Sequence, residues 1–265
     1  MDLGLNARAC IVTGASRGIG RATALALASE GASVLLLGRS EQSLAELAKA
    51  VDDAGGRPET LALDVTAPDT GSRAVLECLE RFGRIDALVN NAGTSSVRSL
   101  EELTDADWQE QWELNVMAPM RLMRAAAPAM ALNRWGRIVN VSSSSGKRPG
   151  KRNMTYSVTK AAELSLSRSF ADLYASEGVL VNAVAPGPVG TDLWLAPGGL
   201  ADQTAEAQGI SREEALDATA RGVPIGRLGS DQEIASVIAF LCSEAASYVA
   251  GSAWSVDGGI VQVII

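Results

Sequence analysis

Histidine is missing altogether from the 265 residues of this chain. Its absence removes the side chain that titrates closest to neutral pH and the commonest zinc ligand, so proton transfer must rest on another group. Cysteine is scarce: Cys10, Cys78 and Cys242 stand far apart in no metal-like spacing, the pattern of reduced thiols packed in the core of a cytoplasmic protein. No metal site is expected. Positive charge is in deficit, with 23 Lys+Arg against 31 Asp+Glu and a net charge of −8. A surface so acidic is unsuited to coating polynucleotide, and nucleic acid is excluded as an expected partner. Apolar runs of the roughly 18 residues that a membrane helix needs are absent, and Met1 to Cys10 has no basic stretch leading into an apolar one, so neither membrane span nor signal peptide is expected.

What the chain has is ordinary globular composition, 47% hydrophobic and 20% charged, enough to bury a sizeable core. No linker, composition shift or repeat divides it, and a single domain over 1–265 is expected, α/β chains of about this length commonly forming one. Short Val/Ile/Leu-rich runs alternate with Ala- and Glu-containing stretches. The strands predicted are Ala9–Thr13, Ser33–Leu37, Thr60–Leu63, Ala87–Asn90, Arg137–Val141, Val179–Val184 and Ala253–Val256. Helices are predicted at Arg21–Glu30, Glu41–Ala54, Thr104 to about Leu132 (with Pro119 and Pro128 as points of bending) and Asn153–Glu177, with a short one at Ser211–Ala220. The rhythm implies an α/β fold: a doubly wound parallel sheet of about seven strands with helices on both faces. The segment from Gly187 to Gly222, rich in Pro, Gly and acids, breaks the rhythm and reads as a lid over the site.

The first strand runs directly into Thr13-Gly14-Ala15-Ser16-Arg17-Gly18-Ile19-Gly20 and then a helix. Glycines there let the backbone turn sharply and approach a pyrophosphate at the helix N-terminus. An acid closing the second strand would accept from a ribose 2′-hydroxyl; here Gly38 is followed by Arg39, and Arg17 adds a second guanidinium suited to a 2′-phosphate. The cofactor predicted is therefore NADP(H). Further on stand Asn90-Asn91-Ala92-Gly93, Asn115 within the predicted long helix, four serines from Ser142 to Ser145, and Tyr156 with Lys160 one helical turn later.

In this order the segments resemble the short-chain dehydrogenase/reductase family, and 3-oxoacyl-[acyl-carrier-protein] reductases within it, over Ala9 to Gly259. The resemblance also takes in Asp64-Val65, Pro186-Gly187 with Thr191, and Asp257-Gly258-Gly259. It implies a Rossmann-type domain that moves a hydride between nicotinamide and a carbonyl or secondary alcohol. Tyr156 would be the general acid/base, Lys160 would hold the nicotinamide ribose, and Ser143, thirteen residues before the tyrosine, would bind the substrate oxygen. Asn115 would hold a water linking Lys160 to solvent. Physical chemistry agrees, since a neighbouring ammonium favours phenolate and makes histidine unnecessary. By the same resemblance Gly14, Ser16, Arg17, Gly18, Ile19, Gly20, Arg39, Asp64, Val65, Asn91, Gly93, Pro186, Gly187, Val189 and Thr191 line the dinucleotide. Relatives that keep the nucleotide site without turnover usually lose part of this catalytic set; all four residues are present here.

For substrate, Leu193, Trp194 and Leu195 offer an apolar wall. Lys147, Arg148, Lys151 and Arg152 form a basic cluster expected at the mouth of the site, where it would attract a carboxylate, a CoA phosphate or an acidic carrier. Arg134 matches one basic position of the carrier-protein reductases, whereas Glu177 occupies the other. The expected substrate is a ketone or 3-oxoacyl compound; an alcohol, cyclic alcohol or polyol is the alternative. A homotetramer or homodimer is expected, partly on the apolar ending Val261–Ile265.

Overall fold

The computed structural model describes residues 2–262. Seven strands form one parallel sheet: β1 (Ala9–Thr13), β2 (Ser33–Gly38), β3 (Arg57–Ala62), β4 (Ala87–Asn90), β5 (Gly136–Val141), β6 (Val179–Pro186) and β7 (Ala253–Val256), in the order β3-β2-β1-β4-β5-β6-β7. Each of the first two βαβ units carries a helix back over the sheet, α1 (Gly18–Ser29) and α2 (Glu41–Asp53). Gly31 at φ +79° takes the left-handed position that ends the first of them.

Both faces of the sheet are buried, which is why the central strands read as unbroken apolar runs instead of alternating. In β1, Cys10 and Val12 join one core cluster with Leu27 and Leu44, whereas Ala9 and Ile11 join the other with Leu122 and Met123. The second face is covered by α3 (Thr70–Phe82), α5 (Ala118–Leu132) and α7 (Met154–Tyr174). At the lower edge, buried Asp86 accepts from the Ala9 N–H at 2.8 Å and pairs with Arg8 and Arg84, tying the start of β1 to that of β4. All three cysteines are buried and unbonded, and burial pushes the Cys78 and Cys242 thiols up to about 12, leaving them inert as nucleophiles.

The single helix expected from Thr104 to Leu132 is two. Thr104 caps α4 (Asp105–Trp112) through a reciprocal capping box with Asp107, and a π-turn at Glu113–Met117 separates it from α5. The Ala118 N–H donates to the Glu113 carbonyl, five residues back, and Pro119 has no N–H with which to resume the ordinary ladder at the Asn115 carbonyl. Helix α3, not expected from the sequence, turns Ala74, Val75 and Cys78 into the core and leaves its opposite face exposed. The segment after β6 holds α8 (Asp192–Leu195), α9 (Leu200–Gln208) and α10 (Arg212–Arg221), the last capped by Ser211; α11 (Asp231–Leu241) then returns to pack on α1. Among the described residues no helix is long and apolar enough to cross a membrane. The tail expected at a subunit interface lies mostly outside the described residues, which end at Gln262.

Candidate active site

Between β1 and β4 the strand order reverses direction, and at such a point the loops leaving the C-terminal strand ends part to form a crevice. Here it is a cleft of about 620 Å³ running from the glycine turn to the segment after β6. One end is lined by Gly14, Ser16, Arg17, Gly18, Ile19, Gly38, Arg39, Asp64 and Val65. Gly14 and Gly18 have φ of +61° and +52°, a region costly for side chains, and Arg17 at the α1 N-cap makes no side-chain cap. The first-turn N–H groups of α1 therefore remain for a ligand. Asp64 turns its carboxylate onto Thr66, which donates from main chain and hydroxyl at 2.9 and 2.8 Å and holds the acid below its ordinary range.

Gly20 has a packing role. It does not line the cleft; a Cβ there would fall 2.3 Å from the Gly14 carbonyl oxygen and 2.4 Å from Asn91 Nδ2. Asn91 is fixed by donating to the Thr13 and Gly14 carbonyls at 2.9 and 3.2 Å, and its own N–H donates to the Thr13 hydroxyl. The third glycine thus lets α1 sit tightly on the β1 and β4 ends. Gly20→Ala is expected to cost about 1–3 kcal/mol by overpacking against atoms that cannot give way, measurable as a fall in thermal midpoint.

The other end brings together Asn91, Gly93, Ser143, Tyr156, Lys160, Pro186, Gly187, Val189, Thr191, Leu193 and Trp194. Ser143 leaves β5 in extended conformation and caps α6 (Ser144–Lys147), its Oγ accepting from the Ser145 N–H. This short helix is pressed onto α7 at Gly146, where a Cβ would lie 2.8 Å from the Lys160 carbonyl carbon. That contact, with the Ser142 hydroxyl donating to the Lys160 carbonyl at 2.9 Å, holds the end of β5 against the Tyr156 helix. Lys160 is buried; its Nζ donates to the Val141 carbonyl at 2.8 Å and to Glu163 at 2.9 Å, and stands 5.8 Å from the Tyr156 ring centroid. Burial works against the ammonium, but Glu163 and Tyr156 more than reverse it, and its pKa lies above the ordinary lysine value. Asn115 sits in the π-turn, wholly buried, donating to Gln111 and Thr159, while its Oδ1 has no partner.

Thr94, Ser95, Glu110, Leu114 and Asn153, not expected from the sequence, also line the cleft. Loops carry them, apart from Glu110 and the π-turn residue Leu114, and no periodicity marks them. Leu195 does not join Leu193 and Trp194 in the wall and is 41% exposed. The basic cluster does not line the cleft. Lys147 donates to the Ala253 carbonyl at 2.6 Å and to Ser255, Arg148 to the Ile260 carbonyl at 3.3 Å and Arg152 to the Ala207 carbonyl at 3.1 Å. These cations satisfy main-chain acceptors at the end of the sheet and on α9, and none of the four lines the cleft. Arg134 likewise donates to the Ser176 carbonyl.

Comparison with known proteins agrees with this architecture. The family model described as enoyl-(acyl carrier protein) reductase matches residues 14–261. The chain is 35% identical over 259 residues to the 3-oxoacyl-[acyl-carrier-protein] reductase of Thermotoga maritima, covering 97% of this chain and 99% of that one. With the Escherichia coli protein of the same name it shares 38% over 254 residues, 96% and 97% of the two chains. The structure of L-sorbose reductase from Gluconobacter frateurii complexed with NADPH and L-sorbose superimposes with a TM-score of 0.92 at 36% identity, covering both chains fully. Sheet order, cleft and relatives all point one way, and the chain belongs to the short-chain dehydrogenase/reductase family.

Proposed function

We propose that the protein is an NADP(H)-dependent oxidoreductase that reduces ketones or 3-oxoacyl compounds, with Asn115, Ser143, Tyr156 and Lys160 as its catalytic set. The observation that carries this reading is the buried Lys160 ammonium, 5.8 Å from the Tyr156 ring in a cleft that also reaches Ser143 and the glycine turn. The residues present fit a phosphorylated dinucleotide: positive-φ glycines, open helix N–H groups, and Arg17 and Arg39 at the end of the cleft where Gly38 leaves no acid. Bound NADPH supplies a hydride to the carbonyl carbon.

The chain's own residues do the rest. Arg17 and Arg39 hold the 2′-phosphate, Asp64 and Val65 border the adenine, and Asn91 the adjoining ribose. Gly93, Pro186, Gly187, Val189 and Thr191 enclose the nicotinamide half, and Lys160 donates to its ribose. Ser143 donates to the carbonyl oxygen, stabilising the charge that develops there, and Tyr156 gives that oxygen its proton while the Lys160 ammonium stabilises the phenolate left behind. Asn115, whose carbonyl meets no N–H from Pro119, holds a water through which the proton is replaced. Ser143→Ala is expected to lower kcat about 100-fold with little change in NADPH affinity, since one donor to a developing oxyanion is lost; titrating NADPH by protein fluorescence alongside kinetics checks both halves.

Several observations favour a second substrate class. The substrate end carries the neutral hydrogen-bonding groups of Thr94, Ser95, Ser143 and Asn153, and three of the four basic residues that would have met a CoA or carrier phosphate, Lys147, Arg148 and Arg152, donate to main-chain carbonyls instead. The sorbose reductase likeness extends over the whole chain. A hydroxylated ketone or ketose is therefore assayed beside a 3-oxoacyl thioester, and the higher kcat/KM decides between them. The segment 187–222 serves as the lid, its α9 fixed by the Gln203 side chain, which accepts from the Val97 N–H at 2.9 Å.

A further inference from the structure

Two buried charges of opposite sign meet one turn beyond the catalytic tyrosine, and the second of them has no part in the reaction as described above. Glu163 lies on α7 three residues after Lys160, with its carboxylate 2.9 Å from Nζ and both side chains 3% exposed. A carboxyl taken so far from water costs several kcal/mol and is retained only with compensation. Burial dominates and pushes the Glu163 carboxyl up to about 7, while the Lys160 ammonium beside it works in the opposite direction.

We infer that Glu163 is a positioning residue: it anchors the Lys160 ammonium against the Val141 carbonyl so that the remaining N–H points into the cleft, and its charge keeps that ammonium protonated at alkaline pH. An ammonium has three donors. Two are taken within the core, by the Val141 carbonyl and Glu163 at 2.8 and 2.9 Å, and Lys160 also borders the cleft, where the third is available. The backbone beneath is fixed in turn, because Ser142 Oγ donates to the Lys160 carbonyl and Ser167 Oγ to the Glu163 carbonyl, while Asn140 donates to Ser167 at 2.7 Å.

No other charge competes for the pair. Of the charged residues on the elements packed against α7, Asp107 pairs with Arg98, Glu113 with Arg121, Arg137 donates to the Ser243 carbonyl and Lys147 to that of Ala253, while Asp105, Glu110, Arg124 and Glu177 are solvent-exposed. Tyr156 is the one further titratable group that acts on Lys160.

The consequence for the nicotinamide ribose rests on the proposed function, but the pairing itself is measurable without turnover. The chain has only four lysines, so the side-chain carbon resonance of Lys160 is assignable by comparison with Lys160→Met and can be followed against pH by NMR. Glu163→Gln keeps an acceptor and removes the charge; Lys160 is expected to release its proton at least about one pH unit earlier than in the wild type. Glu163→Met fills similar space if the glutamine variant cannot be isolated folded, and the same shift is expected. Glu163→Asp restores the charge and should bring the titration back toward that of the wild type. In parallel, the alkaline decline of NADPH affinity should move down by the same interval in Glu163→Gln, with affinities converging at low pH where Lys160 is protonated in both. A merely structural glutamate would lower stability without moving either curve. Coincident Lys160 titrations in wild type and Glu163→Gln overturn the inference. Wild-type protein that fails to bind NADPH while the Lys160 shift is present overturns instead the reading of the cleft as a cofactor site, and leaves the pairing established.

Discussion

Tyr156→Phe is expected to lower turnover by about 10²–10⁴-fold while leaving NADPH affinity within a factor of a few. The phenol hydroxyl is the only proton donor assigned to the carbonyl oxygen, and a positioned general acid contributes roughly 10²–10⁴-fold. The chain has no histidine, and the other ionisable side chains near the tyrosine are committed or turned to solvent: Lys160 is anchored in the core by Val141 and Glu163, Asp64 accepts from Thr66 at the other end of the cleft, and Glu110 and Asp192 are exposed. The substitution removes one oxygen atom and leaves the ring, half-buried on α7, to pack as before. Fluorescence titration with NADPH and initial rates on the same preparation separate binding from chemistry. Substantial turnover in this variant would move the acid role elsewhere.

Replacing both guanidiniums at the far end of the cleft should reverse the cofactor preference. Arg17 stands at the N-cap of α1 and Arg39 directly follows β2, and both line the cleft. A hydrogen bond to a charged group contributes about 1.5–3 kcal/mol, so each arginine lost should weaken NADPH about 10–100-fold. NADH lacks the phosphate and loses none of this. In Arg17→Ser combined with Arg39→Asp, the introduced acid meets the ribose hydroxyls of NADH and repels a 2′-phosphate. The ratio of kcat/KM for NADPH over NADH is then expected to fall at least a hundredfold. An unchanged ratio would mean that these arginines are ordinary surface charges.

Much of this architecture can be read in the chain because a sheet buried on both faces needs strands that are apolar throughout. All seven strands fall within a few residues of the runs that predict them, and three, Ala9–Thr13, Ala87–Asn90 and Ala253–Val256, agree to the residue. The placing of the proposed catalytic residues in one cleft is equally legible, since Tyr156 and Lys160 share one helical face and Ser143 follows a strand end. What sequence could not convey depends on contacts between distant segments. The π-turn that carries Asn115 arises from the i−5 bond ahead of Pro119, while helical periodicity alone favours a continuous helix. Gly20 follows the pattern of a ligand glycine, and only the approach of Gly14 and Asn91 reveals its packing role. Clustering of Lys147, Arg148, Lys151 and Arg152 suggests an anion site, but for three of them the partners are carbonyls 55 to 112 residues away. Glu163 looked like any helical glutamate, which is normally a surface residue; the α7 backbone and the strands beneath it put it in the core instead.

NADPH-dependent carbonyl reduction in this cleft is tested by following the loss of nicotinamide absorbance by the wild-type protein in a panel. NADPH and NADH are offered in parallel against an acetoacetyl thioester, simple and cyclic ketones, and ketoses. Oxidation of NADPH at a rate well above that of NADH with at least one of these carbonyls is the predicted result. Tight binding of NADPH with no oxidation against any carbonyl in the panel would contradict it and leave a nucleotide-binding protein without the reductase chemistry.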